Sequence, residues 1–463
     1  MTLASIPRYD IDRLANDEGH AVVVGASMAG MAAARVLADA YETVTIIERD
    51  LLPTGPVSRR GVPQGNHVHL LLEAGRATLE DLFPGFSREV LAAGGVLVDA
   101  ATDLTHYEHG GTLAEGPERL PLYCASRPLY EHVVRQRLAD RPAVTIRSNC
   151  RFIEYCTDDA QTAVTGVVIN DGTGETELAT DLVVDATGRT SRTPAWLEDH
   201  GYTPPPVEEI DIDVTYGTVA LERPPDNRRT FLVTPSPANP RGAAAVPIEG
   251  DRWLVTLFGL HGESPPTDRA GFLDYAASLP DVGLTQLLTT REWATDEITQ
   301  YPFPSNLRRR YEQLERFPDG LLVTGDGIAS FNPIYGQGMT VAALDALQLH
   351  HALASSGREN VATNFFERAG AVVDDVWNIA VGSDFELPQT EGSKPRGTAF
   401  FNWYISRLVR AAHTDGVLRN EYYRVIRLET PPTALFQPSI LRRVFHPKQL
   451  LGRSKTARPS PTK

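Results

Sequence analysis

The chain has 463 residues, 42% of them hydrophobic, enough for two or three domains with sizeable cores. A net charge of -15 excludes a general nucleic-acid binder, which would carry a basic footprint. No run reaches the roughly 20 apolar residues of a spanning helix, Met1 to Asp17 lacks the apolar segment of a signal peptide, and three cysteines without a CxxC pair exclude a disulfide framework or a Cys-rich zinc site. The expectation is a cytoplasmic protein with no stable membrane insertion.

Residues 20–50 read as a strand, a turn, an Ala-rich helix and a second strand. Gly25 permits the tight turn off the first strand, and Gly30 lets the helix lie close to the sheet. Ser27 stands where a second glycine would admit a pyrophosphate, and the amides of Met28, Ala29 and Gly30 open the helix as an anion site. Glu48, ending the second strand, suits the hydroxyls of an adenosine ribose, and Arg49 beside it suits phosphate charge. The pattern points to a dinucleotide, either NAD or FAD.

The stretch RRGVPQGNHVHLLL (residues 59–72) couples two arginines to a Gly/Pro turn, two histidines and an apolar run expected to be helical. On a helix His67 and His69 would point to different faces, and no acidic or cysteine ligand adjoins them, so no metal site is expected. Further on, SRPLYEHVVRQRL (residues 126–138) reads as a helix opening at Arg127, and DLVVDATGRTSRTP (181–194) as an apolar strand breaking at Thr187-Gly188. Strand-like runs at Ile212–Leu221, Thr230–Thr234, Gly242–Ile248 and Trp253–Gly259, separated by Pro and Gly clusters, predict an antiparallel sheet. In GLLVTGDGIASFNPIYGQGMTVAALDALQL (320–349) a buried-type strand ends at Gly325-Asp326, and a loop through Pro333, Gly336 and Gly338 enters a helix at Met339. Beyond residue 376 the pattern is helical, with a basic tail from Arg442 that is expected to be disordered; a membrane-surface role for Leu435–Arg453 stays open.

Taken together, the Gly-rich first turn, the middle strand and the GD segment resemble the class A FAD-dependent monooxygenases built like p-hydroxybenzoate hydroxylase, especially the bacterial branch of polyketide or terpenoid epoxidases and hydroxylases. The resemblance implies an α/β fold: a Rossmann-like FAD-binding domain, an antiparallel β-sheet substrate domain and a helical C-terminal region. It divides the chain into FAD-binding parts at 1–95, 121–200 and 301–375, substrate segments at 96–120 and 201–300, and the helical region at 376–463. It also implies that Asp326 holds a ribityl hydroxyl, that the helix at Met339 points its N-terminus at the flavin, and that Arg127 contacts the pyrophosphate or ribityl chain. Residues 59–72 would form a cover over the flavin, with Arg60 facing phosphate or NAD(P)H and Gly61 and Val62 against the ring edge.

Implied partners are NADPH or NADH as transient reductant, or an external flavin reductase, together with O2 and a hydrophobic small molecule oxygenated through a flavin hydroperoxide. Such chemistry needs no dedicated catalytic side chain; His67 is the one candidate. Tyr216, Phe231 and Phe258 are candidates for the substrate pocket, with a packing role the alternative for each. An isoprenoid double-bond reductase resembling geranylgeranyl reductases shares the Asp-Ala-Thr-Gly variant at 185–188, and a non-catalytic flavin sensor is a third reading. A flavin halogenase would need a lysine near the flavin, and the only lysines are Lys394, Lys448, Lys455 and Lys463.

Overall fold

The computed structural model describes residues 2–15, 17–280 and 282–445. At its centre five parallel strands run in the order Leu321–Val323, Leu182–Asp185, Asp17–Val24, Tyr41–Ile47, Val144–Arg147. Both faces of this sheet are covered, which is why its strands read as nearly continuous apolar runs. Ala21, Val23, Val184 and Leu322 point into the main core, against helices Met28–Leu37 and Gly338–Ser356. The alternate residues Val22, Val24, Val183 and Leu321 point the other way, onto Val167 and Ile169 of a three-stranded antiparallel sheet. That small sheet, Arg151–Thr157, Val164–Asn170 and Glu175–Ala179, was not anticipated.

A second, larger sheet is built on the long strand Val207–Glu222, which pairs with Arg252–Gly259 on one side and Thr299–Arg309 on the other. Two corrections to the sequence reading follow. Thr299–Arg309 lies in this sheet, so residues 301–309 do not return to the parallel domain. The sheet is also mixed, because Thr230–Val233 pairs in parallel with Leu104–Glu108. Its two faces have separate partners, set by the two-residue period of a strand. Phe231, Trp253, Val255 and Val219 pack on helices Arg269–Ala277 and Leu284–Thr290, whereas Leu232, Thr256, Phe258 and Thr218 face the opposite way.

Across that opposite face lie the C-terminal helices Thr398–Ala412 and Gly416–Ile426. Arg419, buried, ties them down: it donates to the carbonyls of Ala114 (2.9 Å), Ala100 and Leu104 (both 2.6 Å). Pro438–Phe445 is a further helix, so the segment expected to be disordered is ordered at Arg442 and Arg443; residues 446–463, which include most of the suggested membrane-surface segment, lie outside the described residues. Among the described residues no helix is long and apolar enough to cross a membrane.

Candidate cofactor and substrate site

A cleft of about 970 Å3 opens at the carboxyl ends of the parallel strands, lined by Gly25, Ser27, Glu48, Arg49, Arg59, Arg60, Gly61, Val62 and Asp185–Thr187. Open parallel sheets put ligands at this edge. The helix Met28–Leu37 starts here with no side-chain cap: the Ser27 hydroxyl is turned away to accept from Arg127 (2.8 Å) and donate to Glu131 (3.1 Å). The amides at the helix start therefore remain available to an anion. Gly25 has φ 111°, a left-handed conformation that disfavours side chains, and a β-carbon on Gly30 would be driven into the Gly25 carbonyl oxygen.

Arg60, the arginine favoured from sequence, lines the cleft, and so does its neighbour Arg59, which the sequence reading passes over. Its guanidinium meets Glu48 (2.9 Å), Asp50 (3.0 Å) and Glu131 (3.5 Å), while Arg60 and Arg49 are exposed at the rim. Glu48 accepts the amides of Ala26 and Asp50 (both 3.0 Å), so its two oxygens brace the glycine turn. Sequence reading missed Glu131 as well. The signal was present in its spacing: it follows Arg127 by four residues, one helical turn, and pairs with it at 2.9 Å.

The Gly325-Asp326 turn is held from below by Asp345, whose carboxylate accepts the Gly325 amide (3.0 Å) and lies 3.4 Å from the Thr324 hydroxyl. Burial pushes the Asp345 carboxyl up to about 7. Asp326 itself is half-buried, and burial raises its carboxyl against the opposing pull of Arg127 and Arg189. Downstream, Asn332 accepts the Ile334 amide (3.3 Å) and donates to Asp384 (2.7 Å), which also accepts from Asn306 and Tyr335 (both 2.8 Å). This buried network fixes the loop carrying Pro333 and Gly336. Gly336 takes a left-handed φ of 66° beside Leu70, and Gln337, whose Oε1 is buried without a partner, precedes the helix opened by Gly338 and Met339.

Asp185, by contrast, is spent on structure: it accepts from the Thr187 amide (2.8 Å) and from the hydroxyls of Thr187, Ser191 and Thr193 (each 2.6 Å).

Residues 59–72 are not helical beyond a short turn at Pro63–Asn66; the chain then runs extended and the helix begins at Glu73. His67 is buried, its Nδ1 2.7 Å from the Thr218 hydroxyl and its ring beside Tyr216 and Tyr301, while its Nε2 has no partner. Burial lowers the ring to about 4, so it is neutral at physiological pH. His69 is likewise lowered to about 3 by burial and then by Arg127, and its Nδ1 lies 3.0 Å from the His67 carbonyl oxygen.

A second cavity, of about 160 Å3, lies between the large sheet and the C-terminal helices. Its wall is mostly apolar, with Leu70, Leu232, Phe258, Ile334, Ile379 and Ile405 among its residues, and Gln337 at the end near the cofactor helix. Phe258 lines it; Tyr216 stays in the core with its hydroxyl 3.4 Å from Asn332. Phe231 is excluded, because its odd place in the strand register turns it to the far face.

FAD fits this donor set. The uncapped helix start, with Arg127 beside it, suits a pyrophosphate; Glu48 suits ribose hydroxyls; Asp326 and the orphaned Gln337 Oε1 suit hydrogen-bond donors at the other end. A family model described as FAD binding domain matches residues 18–369. Over 437 residues, 89% of this chain and 90% of the relative, the sequence is 33% identical to Protein Rv3254 of Mycobacterium tuberculosis (strain ATCC 25618 / H37Rv). It is 26% identical, over 79% of each chain, to kynurenine 3-monooxygenase of Salinispora arenicola. Among solved structures, PqsL of Pseudomonas aeruginosa, described as a probable FAD-dependent monooxygenase, is similar in fold, with a TM-score of 0.61 at 20% identity over 81% of this chain and 97% of that one. The cleft, the two glycine turns and the family match agree: this chain belongs to the FAD binding domain family, and its cofactor is FAD.

Proposed function

We propose that the protein is an FAD-dependent monooxygenase that transfers one atom of O2 to an apolar small molecule, drawing electrons from NADPH or NADH. The observation that carries the reading is the apolar cavity whose wall includes Gln337, the residue preceding the helix at Gly338. Bound FAD supplies the oxygen activation; the chain supplies position and dryness. Leu70, Phe258, Ile334 and Ile379 exclude water around the substrate, and the network of Asn332, Asp384, Asn306 and Tyr335 keeps the loop between them in one conformation. His67, neutral and with its Nε2 unpartnered beside Tyr216 and Tyr301, is the candidate side chain for a hydrogen bond to the flavin.

The test is reduction of the bound flavin under anaerobic conditions, followed by admission of air. A monooxygenase consumes O2 in proportion to a hydroxylated or epoxidised product. Hydride transfer to a double bond without O2 uptake would instead favour the isoprenoid reductase, and flavin that turns over with neither would favour a sensor.

A further inference from the structure

Two acids, Glu108 and Glu386, line the apolar cavity. Glu108 projects from the strand Leu104–Glu108 and is 8% exposed. One of its oxygens accepts from the Tyr422 hydroxyl at 3.1 Å; the other, Oε2, is buried without a hydrogen-bond partner. Glu386 shares the cavity wall and repels Glu108. His106 Nε2 lies 3.7 Å from Glu108 Oε2, beyond hydrogen-bond reach, and does not neutralise it. Its Nδ1 is 2.8 Å from the Tyr423 hydroxyl and its Nε2 2.9 Å from the Thr234 hydroxyl, so both ring nitrogens are engaged, and burial lowers it to about 3.

Among the described residues no arginine pairs with Glu108. Arg427, also in the wall, lies 3.4 Å from Glu73 and 3.1 Å from Glu429. Arg419 is occupied by three carbonyls. Arg410 and His109 face Glu386 rather than Glu108, His109 at 3.7 Å. A buried carboxyl oxygen with no partner costs stability unless something satisfies it, and such groups mark functional sites.

We propose that Glu108 and Glu386 recognise a protonated amino group on an otherwise apolar substrate. This inference rests on reading the cavity as the substrate site. The acids share the cavity wall with Gln337, the residue preceding the helix at Gly338. A neutral amine entering the cavity takes the Glu108 proton; an ammonium ion displaces it to solvent. Either way an ammonium ion ends against a carboxylate, a charge-assisted contact stronger than a neutral hydrogen bond. An anionic substrate would meet two acids and be refused. The body of the molecule is limited in bulk, since a cavity of about 160 Å3 takes about one aromatic ring.

Three probes of one shape test this on the FAD-loaded full chain: benzylamine, benzyl alcohol and benzoate, with binding read by calorimetry near neutral pH. Benzylamine is expected to bind at least tenfold more tightly than benzyl alcohol, and benzoate least. In Glu108→Gln and Glu386→Gln, checked for retained FAD and native circular dichroism, the preference for the amine should collapse while affinity for benzyl alcohol persists. Equal or undetectable binding of the amine and the alcohol to the wild-type protein overturns the proposal, as does a preference that survives the double variant. O2 uptake is measured separately. An amine preference without any substrate-linked O2 uptake leaves the recognition site standing and removes the monooxygenase reading instead.

Discussion

Asp345 reaches from the middle of the helix Gly338–Ser356 to the Gly325 amide, 3.0 Å away, and so couples the second cofactor helix to the turn that presents Asp326. Asp345→Leu leaves that amide without an acceptor in a buried place, at a cost of about 1–3 kcal/mol, and loosens the Asp326 turn. Weaker FAD binding, read by fluorescence titration, is expected with it. Asp345→Asn keeps an acceptor of the same shape and should lose little; similar losses in both variants would mean the charge, not the hydrogen bond, matters.

Gly30 lies against Gly25 with no room for a side chain. Gly30→Val should therefore yield a protein that does not retain FAD, and its unfolding midpoint should fall. Gly55, where nothing stands in the way of a β-carbon, provides the control: Gly55→Ala should behave as wild type in both measurements.

Arg59 is the cation that three acids of the cleft share. Its replacement in Arg59→Met leaves Glu48 and Asp50 without their cation, Glu131 keeping Arg127, a loss of about 3–5 kcal/mol by analogy with broken buried pairs. Arg60→Ala, at the exposed rim, should stay within about 0.5 kcal/mol of wild type. Urea denaturation of both variants distinguishes them, and a larger loss at Arg60 would reverse the assignment.

Glu108 gives stability an unusual pH dependence. Burial, opposed by the Tyr422 hydrogen bond and aided by Glu386, raises its carboxyl to about 8, whereas in the unfolded chain it titrates near 4.3. Between those values the native state holds a proton that the unfolded state has released, so unfolding free energy falls as pH rises through that window. Glu386 and Asp345, each raised to about 7, and Asp384, raised to about 6, act in the same direction. Below about pH 6.5 the buried His67, His69 and His106, lowered by burial, act the other way, so the decline in melting temperature of the ligand-free protein is expected above that value, toward pH 8, and Glu108→Gln should flatten part of it. A Glu108→Gln curve parallel to wild type would show that the carboxyl titrates normally.

Arg419 anchors the C-terminal helices to residues 100–114 through three carbonyl oxygens. Arg419→Met removes these charged donors and is expected to cost about 2–5 kcal/mol. Limited proteolysis should then release the C-terminal helices before the parallel domain; cleavage unchanged from wild type would show that apolar packing alone holds them.

Much of this architecture was legible because it depends on local pattern. The glycine turns at Gly25 and Gly325 and the apolar strands that precede them are written in contiguous residues, and the four strand runs between 212 and 259 alternate strongly enough to be seen. What escaped reading depends on partners far apart in sequence. Asp345 gave one hint, an acid inside an otherwise apolar helix, but its partner Gly325 is 20 residues away. Glu108 and Tyr422 are 314 residues apart. That Arg59 joins Arg60 in the cleft depends on the path of a single loop, and the turning away of Phe231 on strand register, neither of which composition reveals. The apolar run after His67 and His69 matches a helix in sequence; the segment is instead extended, with the Val68 amide donating to the Thr256 hydroxyl (3.1 Å).

The small cavity draws on a part of the chain that the cofactor cleft does not. The cleft lies within residues 24–192, inside the span of the family match at 18–369, whereas Ile379, Glu386, Ile405, Tyr422 and Leu435 of the cavity wall lie beyond it. On the proposed reading of this cavity as the substrate site, substitutions along this last stretch would reshape what the protein accepts while leaving the residues of the cofactor cleft in place, and two proteins with the same cofactor frame need not then share a metabolite.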